Sequence, residues 1–249
     1  MLADLADVSL LTGAVLLFAL PALFRKEARG WLLLLLAVVA GGILLTSLGA
    51  GWQRYIPFLA HAEWNWLGKA LSFSLGLTVA IGLIATGKFK ARELGLSVLQ
   101  APGTLRGVAL VILPYLALLV VLSLTLVGQS EPPSREAVYF QATMPGLDEE
   151  LAYRGVILAL FDRMFTGRFR LLGAEMGYGA IAVSLMFGLG HIGLFNDKFA
   201  LHLYFINFVS TAIIGFILAW LRQRSRSLVL PVVVHGLTGL LAVSVPKLL

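Results

Sequence analysis

Eight apolar runs, each near the length a helix needs to cross a bilayer, constrain this chain more than any other feature. They fall at 8–24, 31–49, 64–85, 105–127, 137–165, 177–195, 200–221 and 228–245. About 20 helical residues span the hydrocarbon core, and lipid offers no partner to open backbone N–H and C=O groups, so such runs fold as helices. The expected fold is all-α, a polytopic membrane protein with about eight transmembrane helices. Composition agrees, with 59% hydrophobic and 13% charged residues, where a soluble domain carries about 25% charged. Asp4 and Asp7 stand where a cleaved signal would carry positive charge, so the first run is expected to stay in the chain. The chain has no cysteine, which removes disulfides and thiolate metal sites.

The formal charge of +6 does not point to nucleic acid. Its carriers lie in alternate short loops: Arg25, Lys26 and Arg29; Lys88, Lys90, Arg92 and Arg106; Arg163, Arg168 and Arg170; Arg222, Arg224 and Arg226. The opposite loops hold only Arg54, Arg135, Lys198 and Lys247. By the positive-inside rule the basic loops are cytoplasmic and both termini external. Membrane lipid is thus the expected surroundings, and the expected location is the multi-pass membrane of a bacterial cell. Between the third and fourth runs, 92–100 mixes charge with spaced leucines and reads as an amphipathic segment on the cytoplasmic surface. His61, Glu63, Trp52, Trp64 and Trp66 read as an interfacial belt.

The polar residues of the spans crowd into the second half, which divides the chain into 1–136, about four helices, and 137–249, the expected catalytic core. That core opens on Asp148-Glu149-Glu150-Leu151-Ala152-Tyr153-Arg154-Gly155. A charged side chain at membrane depth costs roughly 2.5–3.5 kcal/mol and normally faces a bundle interior, paired. Glu150 and Arg154 are i and i+4, acid before base, the favourable order for a helical ion pair. Glu149 lies about 100° away around the axis and is expected to stay free for chemistry. Pro145-Gly146 just before it is expected to break or kink the run. Two histidines stand on later spans: His191, one turn after Phe187, and His235, about seven residues into the last span. Asn196, Asp197 and His202 read as loop or interfacial residues.

Together these residues resemble the motifs of the CAAX prenyl protease and bacteriocin-processing family, also called Abi, of intramembrane proteases. Glu149, Glu150 and Arg154 match its Glu-Glu-x-x-x-Arg motif, and Phe187 and His191 match Phe-x-x-x-His. His235, entered through Ser227-Leu228-Val229-Leu230-Pro231, matches the third motif. The resemblance covers roughly 137–245. Two positions depart from the pattern: Gly239 stands where Asn is usual, and Tyr153 where Phe is usual.

The resemblance implies a glutamate-dependent endopeptidase acting on a membrane-associated peptide or protein, prenylated tails included. Glu149 would activate water, and His191 would hold the water or pass a proton to the leaving amine. His235 would support the oxyanion, with Glu150 and Arg154 as the structural pair. Phe187 and Thr238 are expected at the substrate, Thr238 standing in for the missing asparagine. The preferred mechanism needs no cofactor. The alternative is zinc held by Glu149, His191 and His235, a two-histidine, one-carboxylate set with an open position for water. Two other functions stay open at this stage, a non-catalytic scaffold or immunity-type protein with the protease fold, and an ion-coupled transporter. The sequence leaves the oligomeric state undetermined.

Overall fold

A computed structural model of the protein describes residues 12–126, 132–191 and 201–243. Helices occupy all eight apolar runs. They are α1 (Thr12–Phe24), α2 (Lys26–Gln53), α3 (Trp66–Ala85) and α4 (Thr104–Leu126), then α5 (Arg135–Glu149), α6 (Leu158–Met164), α7 (Tyr178–Leu189), α8 (Leu201–Ser225) and α9 (Val229–Val243). Four stretches, Lys26–Gln53, Trp66–Ala85, Thr104–Val121 and Phe205–Ser225, are long and apolar enough to cross a membrane. Thr12–Phe24, Tyr178–Leu189 and Val229–Val243 are apolar but shorter. Asn196 and Asp197 lie outside the described residues.

Pro145 and Gly146 do not break the fifth run. The backbone stays helical through Pro145 and Gly146, and α5, a π-helical stretch at Glu150–Ile157 and α6 form one unbroken helix. Proline withholds a donor from the carbonyl four residues back, here Gln141, but α9 lies directly against that segment. A Cβ on Gly239 would stand 3.0 Å from the Gln141 carbonyl oxygen, one on Gly236 2.6 Å from that of Ala142, and one on Gly146 3.0 Å from that of Val232. Small residues at these points let the two backbones close together, as in membrane helix pairs generally. The neighbouring helix supports the run where proline weakens it. The irregularity falls instead on the widened π turns, a feature common at functional sites.

A small element is not all-α. Arg168–Leu171 (β1) and Ala174–Gly177 (β2) form an antiparallel hairpin between α6 and α7. Its two-residue turn, Leu172-Gly173, has φ of 46° and 79°, the positive values that match the twist of paired strands. The Trp220 indole N–H donates to the Leu171 carbonyl at 3.0 Å, tying the hairpin to α8. The segment 92–100 is a 3-10 turn over Ala91–Leu94 followed by irregular chain, with Leu94 fully buried and Val98 and Leu99 exposed. Backbone bonds from Ala101 to Ser225 (2.8 Å) and from Leu228 to Gly95 (2.9 Å) fasten it to the α8–α9 turn.

At the opposite end, the Glu136 carboxylate accepts from the Glu63 and Trp64 amides, both at 3.0 Å, and from the Trp66 indole at 2.9 Å. Trp64 stacks on Phe140 and Trp66 meets it edge-on. The predicted tryptophan belt thus joins the start of α3 to the start of α5. The backbone bond from Glu63 leads in holding the Glu136 carboxyl below the usual glutamate range.

Candidate active site

The interior of the fold closes on a fully buried ion pair. Arg154 donates through Nη1 to Glu150 Oε1 at 2.8 Å, and neither side chain is exposed. Arg154 Nη2 reaches the Gly215 carbonyl of α8 at 3.1 Å, and His235 of α9 places Nδ1 2.8 Å from the same Glu150 Oε1. The Glu150 oxygen therefore ties the π-helical segment to α9, and Arg154 extends the link to α8. Gly155 follows because the chain crosses close by: a Cβ there would stand 3.3 Å from the Leu94 carbonyl oxygen. Removing one member of a buried pair costs about 3–5 kcal/mol, because the other charge is left without compensation.

Each histidine is anchored through Nδ1. His191 sets Nδ1 2.7 Å from the Phe187 carbonyl, and a carbonyl only accepts, so Nδ1 carries the proton. His235 faces a carboxylate in the same way. Both rings therefore turn Nε2 to the same place: each Nε2 lies 3.9 Å from Glu149 Oε2. That oxygen is buried and has no hydrogen-bond partner. Phe187 packs beneath the group. Its ring centroid is 4.4 Å from that of His191 and 5.9 Å from that of His235, and the Arg154 guanidinium lies 4.3 Å above its face. Phe187 is buried. Tyr153 fills the usual phenylalanine position, edge-on to Phe187 at 5.4 Å.

Glu149 is not free. Lys69, on the first turn of α3, brings its ammonium 2.6 Å from Glu149 Oε1 and 3.2 Å from Asp148 Oδ2. Lys69 does not stand among the residues singled out from sequence, and Asp148 enters there only as the first residue of the acidic stretch, with no role. A signal was present, since Lys69 and Arg154 are the two cations well inside the predicted spans, Arg106 and Arg163 lying within two residues of span ends, and an intramembrane cation demands an acidic partner. What the sequence withheld was which acid: Lys69 is 80 residues from Glu149.

Thr238 bonds within α9 and to α4. Its hydroxyl donates to the Val234 carbonyl at 2.9 Å and lies 3.0 Å from the Tyr115 hydroxyl of α4. At Gly239, Gln141 fills the adjoining space: a Cβ would stand 3.1 Å from its Oε1. The side chain of His191 is 38% exposed, against 14% for Glu149 and 12% for His235, which makes it the most accessible of the three.

Comparison with curated proteins and with solved structures gives no match. The model of one family, type II CAAX prenyl endopeptidase Rce1-like, matches residues 136–241, the segment that carries all three motifs. That match supports a membrane protein with protease chemistry, and it agrees with the resemblance to CAAX prenyl proteases carried by Glu149, Glu150, Arg154, Phe187, His191 and His235.

Proposed function

We propose that the chain is a multi-pass intramembrane endopeptidase of a bacterial plasma membrane. It hydrolyses a peptide bond in a membrane-associated peptide or protein, prenylated substrates included, with a water activated by Glu149. The observation that carries this reading is the unpartnered Glu149 Oε2, set 3.9 Å from Nε2 of both His191 and His235. That distance is too long for a direct hydrogen bond and suits one shared oxygen about 2.8 Å from oxygen and nitrogen alike, at an angle of about 90°.

The water oxygen adds to the substrate carbonyl carbon while its proton passes to Glu149 Oε2, and the carbonyl electrons move onto oxygen. Collapse of that oxyanion breaks the C–N bond, and the proton goes to the leaving nitrogen through His191, the more exposed ring. With Nδ1 committed to Glu150, His235 donates from Nε2 to the oxyanion only as the imidazolium, and the Glu150 carboxylate beneath balances that charge. Preorganised donors of this kind are worth about 3–4 kcal/mol each in acyl transfer.

The reading uses no metal. Zinc ligands about 2.0–2.2 Å from a shared tetrahedral ion stand about 3.4 Å from one another, closer than the 3.9 Å between Glu149 Oε2 and each Nε2. Among the described residues, no group of three His, Asp or Glu side chains is gathered as metal ligands.

The test compares wild type with Glu149→Gln, purified in lipid, on a library of membrane-anchored and prenylated peptides, with and without chelator and added zinc. Cleavage by wild type that is lost in Glu149→Gln and indifferent to chelator is the expected result. Loss on chelation with recovery on zinc overturns the metal-free mechanism. Cleavage retained by Glu149→Gln overturns the role of Glu149.

A further inference from the structure

On the face that carries the basic loops, a cavity of about 890 Å³ opens beneath α6. Its walls come from the α3–α4 connection, the hairpin and the end of α8, and they hold eight Arg and Lys side chains against three carboxylates. The carboxylates are already engaged. Asp162 pairs with Arg168 at 3.4 Å and accepts from Gln223 at 2.7 Å. Glu93 accepts from the Lys90 amide at 2.7 Å, and Glu175 lies 3.9 Å from Arg226. Among the described residues, no carboxylate pairs with Arg92 or Arg170. Arg222 is 5% exposed and gives Nη2 to the Glu93 carbonyl, but its Nε has no partner, and neither has Nε of Arg224.

A positive-inside signal needs only the charges, scattered over loops. Here they converge on one concavity from three elements far apart in sequence, with more positive charge than the protein neutralises. Arginine favours phosphate, which its planar fork binds through two parallel hydrogen bonds. The surroundings point to a lipid. The hairpin alternates Arg168 and Arg170 with the exposed Phe169 and Leu172, and Val98 and Leu99 are exposed on the facing segment. That interleaving suits the headgroup level of a bilayer better than open solvent.

We propose that this cavity binds the phosphate of an anionic phospholipid headgroup from the adjoining leaflet, with Arg92 and Arg170 as the unpaired cations that close on it. The bound headgroup would join the α3–α4 connection to the hairpin directly under the helix that carries Glu149. The proposal is independent of the peptidase reading, and its test needs no substrate.

Full-length protein is equilibrated in mixed micelles of equal phosphatidylglycerol and phosphatidylcholine, and retained lipid is read by native mass spectrometry. Wild type is expected to retain phosphatidylglycerol selectively, and Arg92→Gln with Arg170→Gln to lower that retention about tenfold to thirtyfold, the loss expected for two cations at a membrane surface. Both side chains are exposed, and an unchanged melting temperature in neutral detergent checks that the double variant is folded. Lys26→Gln with Arg29→Gln removes the same charge elsewhere on that face and is expected to change little. Equal loss in the two double variants, or no selectivity in wild type, overturns the proposal. Millimolar inorganic phosphate separates the sources. If it neither shifts wild-type melting nor displaces the lipid, the ligand is the lipid headgroup. If it does both as well as the lipid, the cavity takes free phosphate and the lipid assignment is overturned.

Discussion

Lys69 gives the sharpest perturbation of the site. Its ammonium lies 2.6 Å from Glu149 and 3.2 Å from Asp148, which at an effective dielectric constant near 20 corresponds to gross attractions of about 6 and 5 kcal/mol. Desolvation offsets most of that, and the quantity a variant reports is the cost of leaving the acids without their cation, about 3–5 kcal/mol. Lys69→Met keeps an unbranched side chain one atom shorter and removes the charge, leaving two adjacent carboxylates that repel. Glu149 then loses the partner that fixes its Oε1, and its Oε2 moves relative to the two histidines. A displacement near 1 Å costs about a hundredfold in rate. The expected outcome is a loss of at least about 3 kcal/mol in chemical denaturation and of about a hundredfold in kcat. Lys69→Arg is expected to restore most of the stability. Lys69→Met combined with Asp148→Asn separates repulsion from positioning, because it relieves the first and not the second: stability recovers in part while kcat stays low. Lys69→Met with wild-type stability and turnover would refute the reasoning, since an ion pair at 2.6 Å between side chains only 19% and 14% exposed would then contribute nothing.

Arg154→Ala strands the buried Glu150 charge and is expected to cost about 3–5 kcal/mol by denaturation. Arg154→Lys does not rescue it, because one ammonium on a shorter reach does not serve both Glu150 and the Gly215 carbonyl. Glu150→Gln keeps the shape of the anchor but removes the charge that balances a protonated His235, so kcat is expected to fall by about a hundredfold or more while KM changes little. Glu136 bears on acid stability. Its carboxyl titrates below the usual range in the folded protein, so it binds a proton less readily when folded than when unfolded. It contributes stability that is fully present above the unfolded value of 4.5 and is lost as pH falls through the lower folded value. Melting curves of wild type and Glu136→Ala are therefore expected to differ near neutral pH and to converge as pH falls through the lowered folded value; a constant difference across the range would show that the carboxylate bonds are not its source.

The parts of the site legible in the sequence are those set by helical spacing. Glu150 and Arg154 sit four apart and pair as the spacing requires, and the π turns between them do not undo that contact. Among the described residues, the apolar runs located every α-helix because their lengths and compositions are local properties. The rest depends on which elements meet. Counting residues along straight helices barely brings Glu149 and His235 to one depth, yet they lie 3.9 Å apart, because α5 continues past Pro145 and α9 closes against it through Gly236 and Gly239. Lys69 belongs to the first half of the chain, and no local pattern assigns it to Asp148 and Glu149. The hairpin is four residues a side, too short for its alternation to stand out between two apolar helices.

The same packing accounts for the departure at position 239. An asparagine there needs a Cβ 3.0 Å from the Gln141 carbonyl oxygen and 3.1 Å from Gln141 Oε1. The first contact is with backbone that the α5–α9 pairing holds fixed, and only the second can be relieved by a rotamer change. Glycine at 239 and glutamine at 141 therefore act as a matched pair, in which the helices approach closely and the glutamine side chain fills the space. Gly239→Asn alone is expected to destabilise the protein by about 1–3 kcal/mol, the usual cost of overpacking, and to lower activity rather than raise it. Combined with Gln141→Ala, the side-chain clash is removed and the backbone contact remains, so stability recovers in part. Full stability and higher turnover in Gly239→Asn alone would show that the α5–α9 contact is looser than these distances require, and that the glycine is a lost catalytic residue rather than a packing solution.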